Sequence, residues 1–396
     1  MFKISKKNLI AINITILLFS PDIANARQNN GTLDNSNYQI PGFFINKVIN
    51  NDPNNIFKLN HQPTSIKFKE ITFTDNGKQT TVGEFMSKTN TQGIIVIHGD
   101  NIVYENYSLF NGKDTLYPAY SITKALTSAA LGVAIKNQKI NSENDLLDVY
   151  SETLKNSAYS DVTFKQALTM SSGINVDKDV DTINMITYLN MPWNGIEDYI
   201  LTKEKFFNHK PGDLYNYNDL DAGAIAMAIR ASTGISLSDF VQDEIWKPAG
   251  MEFSAQIQID HQGNELGGSG LYARLRDYAR FGMIYANNGM LNNRQILSPE
   301  WINKSTQPVD YPEGKLNHNE VQTVGFGYSW WPALDKKGDF FSGGLFGQLV
   351  YVDPASRIVI AKMGVDLGDF KKSSADSVLA FSRAIRDKII CEHGHC

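Results

Sequence analysis

Two β-rich stretches near opposite ends of the chain, with a helical middle between them, restrict the possible folds most. Gly93-Ile94-Ile95-Val96-Ile97-His98 and Ile102-Val103-Tyr104-Glu105-Asn106-Tyr107 flank Gly99-Asp100-Asn101. β-Branched and aromatic runs around a Gly/Asp/Asn turn predict a hairpin. In the C-terminal third, residues 325–331, 347–352 and 358–361 read as strands, and Asp353-Pro354-Ala355-Ser356 turns between the last two. From about 140 to 250 the pattern is helical, punctuated at Ser171-Ser172-Gly173, Pro192 and Pro211-Gly212. Helices are also predicted over residues 121–137, over 222–231 ending near Gly234, over 272–285 and over 378–389. Strands so distant in sequence satisfy their backbones by meeting in one sheet. The expected class is therefore α/β (α+β): an antiparallel sheet flanked by helices, with an all-helical insertion.

Composition fits a globular chain. Of 396 residues, 42% are hydrophobic and 20% charged, enough to bury a large core, although length does not fix the number of domains. The formal charge is -5, and no basic stripe is present, which argues against nucleic acid and an electrostatic membrane surface as partners. Residues 1–26 read as a secretory signal. Lys3, Lys6 and Lys7 precede an apolar stretch at 9–19, and Ala24-Asn25-Ala26 supplies a small-x-small cleavage site. An uncleaved anchor is the alternative, but the stretch is short for a spanning helix. The expectation is a periplasmic or secreted protein without stable membrane insertion once the signal is removed. Residues 27–60 are Asn-rich and read as a poorly ordered lead-in, 61–390 as the folded domain and 391–396 as a Cys/His tail. Cys391 and Cys396 suit a small disulfide loop in an oxidising compartment, and the tail's thiols and imidazoles also suit zinc.

The chemistry-bearing feature is Ser121-Ile122-Thr123-Lys124 at the start of a helix. Side chains at i and i+3 share one helical face. A serine hydroxyl attacks a carbonyl only when a base takes its proton. A lysine serves as that base once burial and neighbouring positive charge lower its pKa. The helix N-terminus favours an oxyanion forming beside the serine. The bland reading of the same four residues is a helix cap followed by a surface lysine.

The surroundings favour the first reading. Residues 120–132, Thr163-Phe164-Lys165-Gln166-Ala167-Leu168, Pro211-Gly212 through Tyr217 and Asp219, Gly267-Gly268-Ser269-Gly270-Leu271, and Phe341-Ser342-Gly343-Gly344 fall in one order. That order resembles the serine β-lactamase and penicillin-binding protein superfamily. The nearest branch is the class C-like esterases and 6-aminohexanoate-oligomer hydrolases. The resemblance implies a β-lactamase/transpeptidase-like fold and a hydrolase that acts without metal or organic cofactor on a small-molecule or peptide-like substrate. It makes Ser121 the acylated nucleophile, Lys124 its proton acceptor and Tyr217 the second acid/base group, with Tyr215 as Tyr217's rival. The oxyanion hole falls to the backbone N–H groups of Ser121 and Gly344, and Ser342 and Gly343 border the substrate.

Two departures bear on substrate. The family's asparagine two residues after the tyrosine is Asp219 here, and its charge is expected to pair with Lys124. Phe341 stands where β-lactamases carry a cation for the substrate carboxylate, so penicillins are expected to be poor substrates. In the acidic run 177–181, Asp181 is a candidate for a substrate ammonium, against the plainer reading of a solvated loop. A β-lactamase or D,D-peptidase, and a non-catalytic peptidoglycan-binding or sensor protein, remain alternative readings.

Overall fold

The period of two in the N-terminal hairpin decides how the sheet is covered. In the strand Thr91–His98, Ile94 to Ile97 are all fully buried. Ile95 and Ile97 enter one apolar cluster, and Ile94 and Val96 enter another. A continuous apolar run buried on both faces requires helices on both sides. The computed structural model, which describes residues 39–40, 44–311, 323–366 and 375–392, has that arrangement. The larger sheet has seven strands in the order Trp331–Pro332, Phe340–Gly344, Gln348–Asp353, Ile358–Gly364, Thr91–His98, Asn101–Tyr107 and Asn60–His61. Neighbouring pairs are antiparallel except the last. The chain's two β-rich regions meet where Ile360 stands opposite Val96.

Leu275–Ala286 packs on the inner face, and Ala375–Glu392 covers the outer face with Leu379, Phe381, Ile385 and Ile389. Between the hairpin and the second β region lies the helical part. There Ile122–Lys136 and Leu220–Thr233 pack together as its buried centre. The second of these ends at Gly234 in the left-handed conformation (φ 74°), the usual stop for a helix.

Four sequence expectations need correction. The lead-in is not uniformly disordered: Phe44–Ile49 pairs with Ala255–Ile259, and Ile49 is fully buried. The strand's sequence, Phe-Ile-Asn-Lys-Val-Ile, is short, does not alternate apolar and polar residues, and sits among asparagines, so the local pattern is weak. A second sheet exists, in the order Gln39–Ile40, Phe44–Ile49, Ala255–Ile259, Leu271–Arg274 and Leu116–Pro118. Tyr272 belongs to a strand of that sheet, and the helix begins only at Leu275. Finally, residues 325–330 are irregular, with only Trp331–Pro332 in the sheet; Gly325 and Gly327 are closely approached by Pro308 and by the Ser305 backbone. Residues 1–26, read above as a signal, the lead-in up to residue 38, His318 and most of the Cys/His tail, with Cys396, lie outside the described residues. Among the described residues, no single helix is long and apolar enough to cross a membrane.

Candidate active site

Ser121 reaches its position through a strained turn. Leu116–Pro118 pairs with Leu271–Arg274, and the Ala119 N–H still donates to Leu271 O at 2.7 Å. Tyr120 then takes a φ of 47°, a conformation that costs an aromatic residue energy and is kept only where packing enforces it. After it, Ser121 is already right-handed (φ -64°, ψ -13°) and leads into Ile122–Lys136. Its hydroxyl makes no helix cap. Instead it accepts from Lys124 Nζ at 3.2 Å.

Lys124 is no surface lysine, since the helix is buried from Ile122 through Ala134 and this side chain is 1% exposed. An ammonium has three N–H donors, and three acceptors surround this one. They are Ser121 Oγ, Gly268 O at 2.7 Å and the Asp219 carboxylate. Gly268 is required there: a Cβ would stand 2.5 Å from Asp219 O. Burial pushes the Lys124 pKa down, but the charge of Asp219 and interactions with Tyr217 outweigh it and hold it above the ordinary lysine value. This corrects one expectation. The burial needed for a lowered lysine pKa is present, but the charge that faces Nζ is the negative carboxylate of Asp219 instead of a cation.

Asp219 is free for that contact because its neighbour caps the helix. Asn218 Oδ1 accepts the Asp221 N–H at 2.8 Å, and its Nδ2 donates to Asn216 O at 2.9 Å. Asp219 thus turns to Lys124 from the start of Leu220–Thr233, with a quarter of its side chain exposed. The Tyr217 ring centroid lies 5.0 Å from Lys124 Nζ. The ring also stacks on Trp331 at 6.4 Å and meets Phe326 edge-on. Tyr215, its rival, is buried with Met170 and Phe326, and burial drives its pKa well above the phenol value.

The strand Phe340–Gly344 forms the other wall. A Cβ on Gly344 would lie 2.3 Å from Ala119 O, so only glycine lets this strand approach the segment leading into Ser121. Ser342 is buried and Gly343 half-buried. Phe341 alternates to the opposite face. It packs in the outer cluster with Val324, Leu349 and Tyr351 and stacks on Trp331. A side chain at 341 therefore points away from the Gly344 approach. Trp331 stacks on both Phe341 and Tyr217, so position 341 is joined to the site through that ring. Asp181 is engaged elsewhere, since Lys203 Nζ and Tyr199 Oη donate to its Oδ1 at 2.6 and 2.9 Å. It lies on the helix Lys178–Leu189 instead of a loop.

Sequence reasoning passed over Asp221. It is fully buried, accepts from Tyr159 Oη at 2.9 Å, and is pushed up to about 7 by burial, against hydrogen bonds from Ser172, Tyr159 and Asn218 and the charge of Lys124. A lone carboxylate at the head of the apolar run Ala222-Gly223-Ala224-Ile225-Ala226 was the available signal.

Comparison with known proteins fits this geometry. The Beta-lactamase family model matches residues 79–376. A 6-aminohexanoate-dimer hydrolase of Paenarthrobacter ureafaciens is 21% identical over 298 residues, covering 70% of this chain and 73% of that protein. A Bacillus anthracis protein provisionally named a 6-aminohexanoate-dimer hydrolase superposes with a TM-score of 0.75 at 22% identity, over 88% of this chain and 90% of its own. EstCE1, a hydrolase with promiscuous acyltransferase activity, shares the fold at a TM-score of 0.59 and 14% identity, over 77% and 96% of the two chains. The match over most of its length makes this chain a member of the beta-lactamase family, a hydrolase of that fold related to 6-aminohexanoate-dimer hydrolase and to esterases.

Proposed function

We propose that the protein is an exported serine hydrolase that cleaves an amide or ester bond through a Ser121 acyl-enzyme. The observation that carries this reading is Lys124 Nζ at 3.2 Å from Ser121 Oγ, held there by Asp219 and Gly268 O. With all three N–H groups engaged, Nζ has no lone pair to offer. It becomes a base in its neutral form, after one proton is lost to solvent, and then takes the proton of Ser121. Ser121 Oγ then bonds the carbonyl carbon. The oxyanion accepts from the N–H groups of Ser121 and Gly344 at the helix N-terminus. As the tetrahedral adduct collapses, Tyr217 gives its phenolic proton to the departing amine or alcohol and is reprotonated from Lys124. A water enters by the reverse path: Tyr217 passes its proton to Lys124 as it takes one from the water, the hydroxide adds to the acyl carbon, and Ser121 Oγ regains its proton from Lys124 as the acyl group leaves as the acid.

The relatives guide the choice of substrate: linear aminoacyl oligomers and short-chain esters come first. Export rests on the basic, apolar and small-residue pattern of residues 1–26. The test is labelling of the full chain with a fluorophosphonate, followed by peptide mapping, beside turnover of p-nitrophenyl acetate and of 6-aminohexanoate dimer. Label on Ser121 with hydrolysis of at least one substrate supports the reading. A label elsewhere, or turnover that survives Ser121→Ala, removes it.

A further inference from the structure

The mechanism leaves one buried amine unused. Lys362 lies in the strand Ile358–Gly364 at 1% exposure, where every other residue is apolar or glycine. Burial lowers its pKa to about 8, with Asp366 opposing the shift. A cation in such a place is costly unless something needs it. What it holds is a turn. Leu345–Gly347 joins Phe340–Gly344 to Gln348–Asp353, and both Phe346 (φ 63°) and Gly347 (φ 83°) are left-handed. A turn with a left-handed phenylalanine does not keep its shape unaided.

All three of its carbonyls are tied down. Lys362 Nζ donates to Gly347 O at 2.9 Å, the Asp366 N–H to Phe346 O at 3.1 Å, and Gln348 Nε2 to Leu345 O at 3.1 Å. The Gln348 amide is itself locked on the next strand. Its Nε2 donates to Gly364 O at 2.8 Å, and its Oε1 accepts the Gly364 N–H at 3.1 Å. Gly344 opens this turn and faces Gln348 across the hairpin. Its Cα is wedged between Ala119 O and the Gln348 side chain, so close that a Cβ would meet them at 2.3 and 3.0 Å. On the turn's other flank the Phe346 ring meets Tyr120 at 5.2 Å. Any slack in the turn therefore moves Gly344 relative to Ser121.

We infer that Lys362 and Gln348 are positioning residues, a buried clamp on the Leu345–Gly347 turn that holds the Gly344 N–H at the place where the oxyanion forms. The inference rests on the acyl-enzyme reading above. Neither residue touches substrate. The clamp's contribution belongs to the transition state, because a donor misplaced by about 1 Å costs up to about a hundredfold in rate while ground-state binding survives.

Lys362→Met and Gln348→Met remove the donors at similar volume. In the full chain, each is expected to lower kcat on p-nitrophenyl acetate by about tenfold to a hundredfold, with KM within about threefold of wild type. Phenylboronic acid adds a sharper readout. Its boron accepts the Ser121 oxygen and places a hydroxyl where the oxyanion stands, so its Kd should rise by the same factor as kcat falls. If both variants share one clamp, the double variant loses less than the product of the single losses. Folded variants with wild-type kcat and boronate affinity overturn the clamp. So does a loss confined to KM. Hydrogen exchange of the wild type covers variants that do not fold. The Asp366 and Gly364 amides, which donate into the clamp, should exchange as slowly as the strand Gln348–Asp353, and free exchange overturns the proposal. Absence of wild-type turnover and of Ser121 labelling, by contrast, removes the hydrolase reading itself.

Discussion

Around Ser121 the charge state of one side chain governs the rest. Lys124 stays a cation because Asp219 supplies the opposing charge and Gly268 O a further acceptor. Its pKa lies above the ordinary lysine value, so the neutral amine grows in population only as pH rises. The proposed acylation should therefore show an acidic limb displaced toward alkaline pH. Asp219→Asn removes the charge that raises Lys124 and leaves burial, which lowers it. The limb in kcat/KM should move to lower pH, and activity near neutral pH should be kept or gained. A limb that stays in place means Lys124 is not the titrating base. Ser121→Ala should abolish turnover without a change in Tm. Tyr217→Phe should cost more than Tyr215→Phe, whose buried ring lies in an aromatic cluster with Tyr311 and Phe326. The reverse order in kcat would place the acid/base role on the wrong tyrosine. That Ser121, Lys124 and Tyr217 come together in space was readable from local spacing to a helix start and a Pro-Gly turn. Asp221 was not, since its burial depends on the fold around Tyr159 and Ser172.

Elements set the distances that single residues use. The helix Ile122–Lys136 and the strand Phe340–Gly344 are far apart in sequence, and their approach is limited by backbone contact at Gly344 and Ala119. Gly344→Ala should accordingly separate them. The expected result is a fall in kcat of about a hundredfold, with a smaller effect on Tm than a core cavity gives; unchanged kcat would show that this strand does not form the oxyanion wall. Long periodic elements, such as Leu220–Thr233 and Thr91–His98, were readable in the sequence. Two others were misread for a physical reason. Leu271–Arg274 and Leu275–Ala286 run on without a turn residue, so sequence periodicity merges the strand into the helix. Residues 325–330 carry strand-like aromatics, but Phe326 and Trp330 serve as packing groups from irregular backbone.

Across the whole molecule, the hydrolase is closed by elements from both ends of the described chain, of which sequence reading finds the helix over 378–389 but not the strand Phe44–Ile49. The outer cluster depends on Ala375–Glu392, and the second sheet depends on Phe44–Ile49. The latter strand was expected to be part of a loose lead-in, because six residues among asparagines give too short a pattern to distinguish a strand from a linker. Only its pairing with Ala255–Ile259, distant in sequence, makes it structure. Ile49 tests the difference. It is fully buried in the same cluster as Ala255, Ile257 and Tyr117, with two strands of the sheet between its own and Leu116–Pro118, which leads to Ser121. Truncating a buried isoleucine to alanine costs about 2–5 kcal/mol where the site cannot collapse. In a disordered lead-in it costs nothing. Ile49→Ala should lower the urea midpoint with an unchanged m-value, which indicates lost stability instead of an altered unfolded state. The folded fraction should retain kcat, since Ile49 touches no reacting group. A midpoint equal to wild type would return residues 44–49 to the lead-in and leave the second sheet without its N-terminal strand.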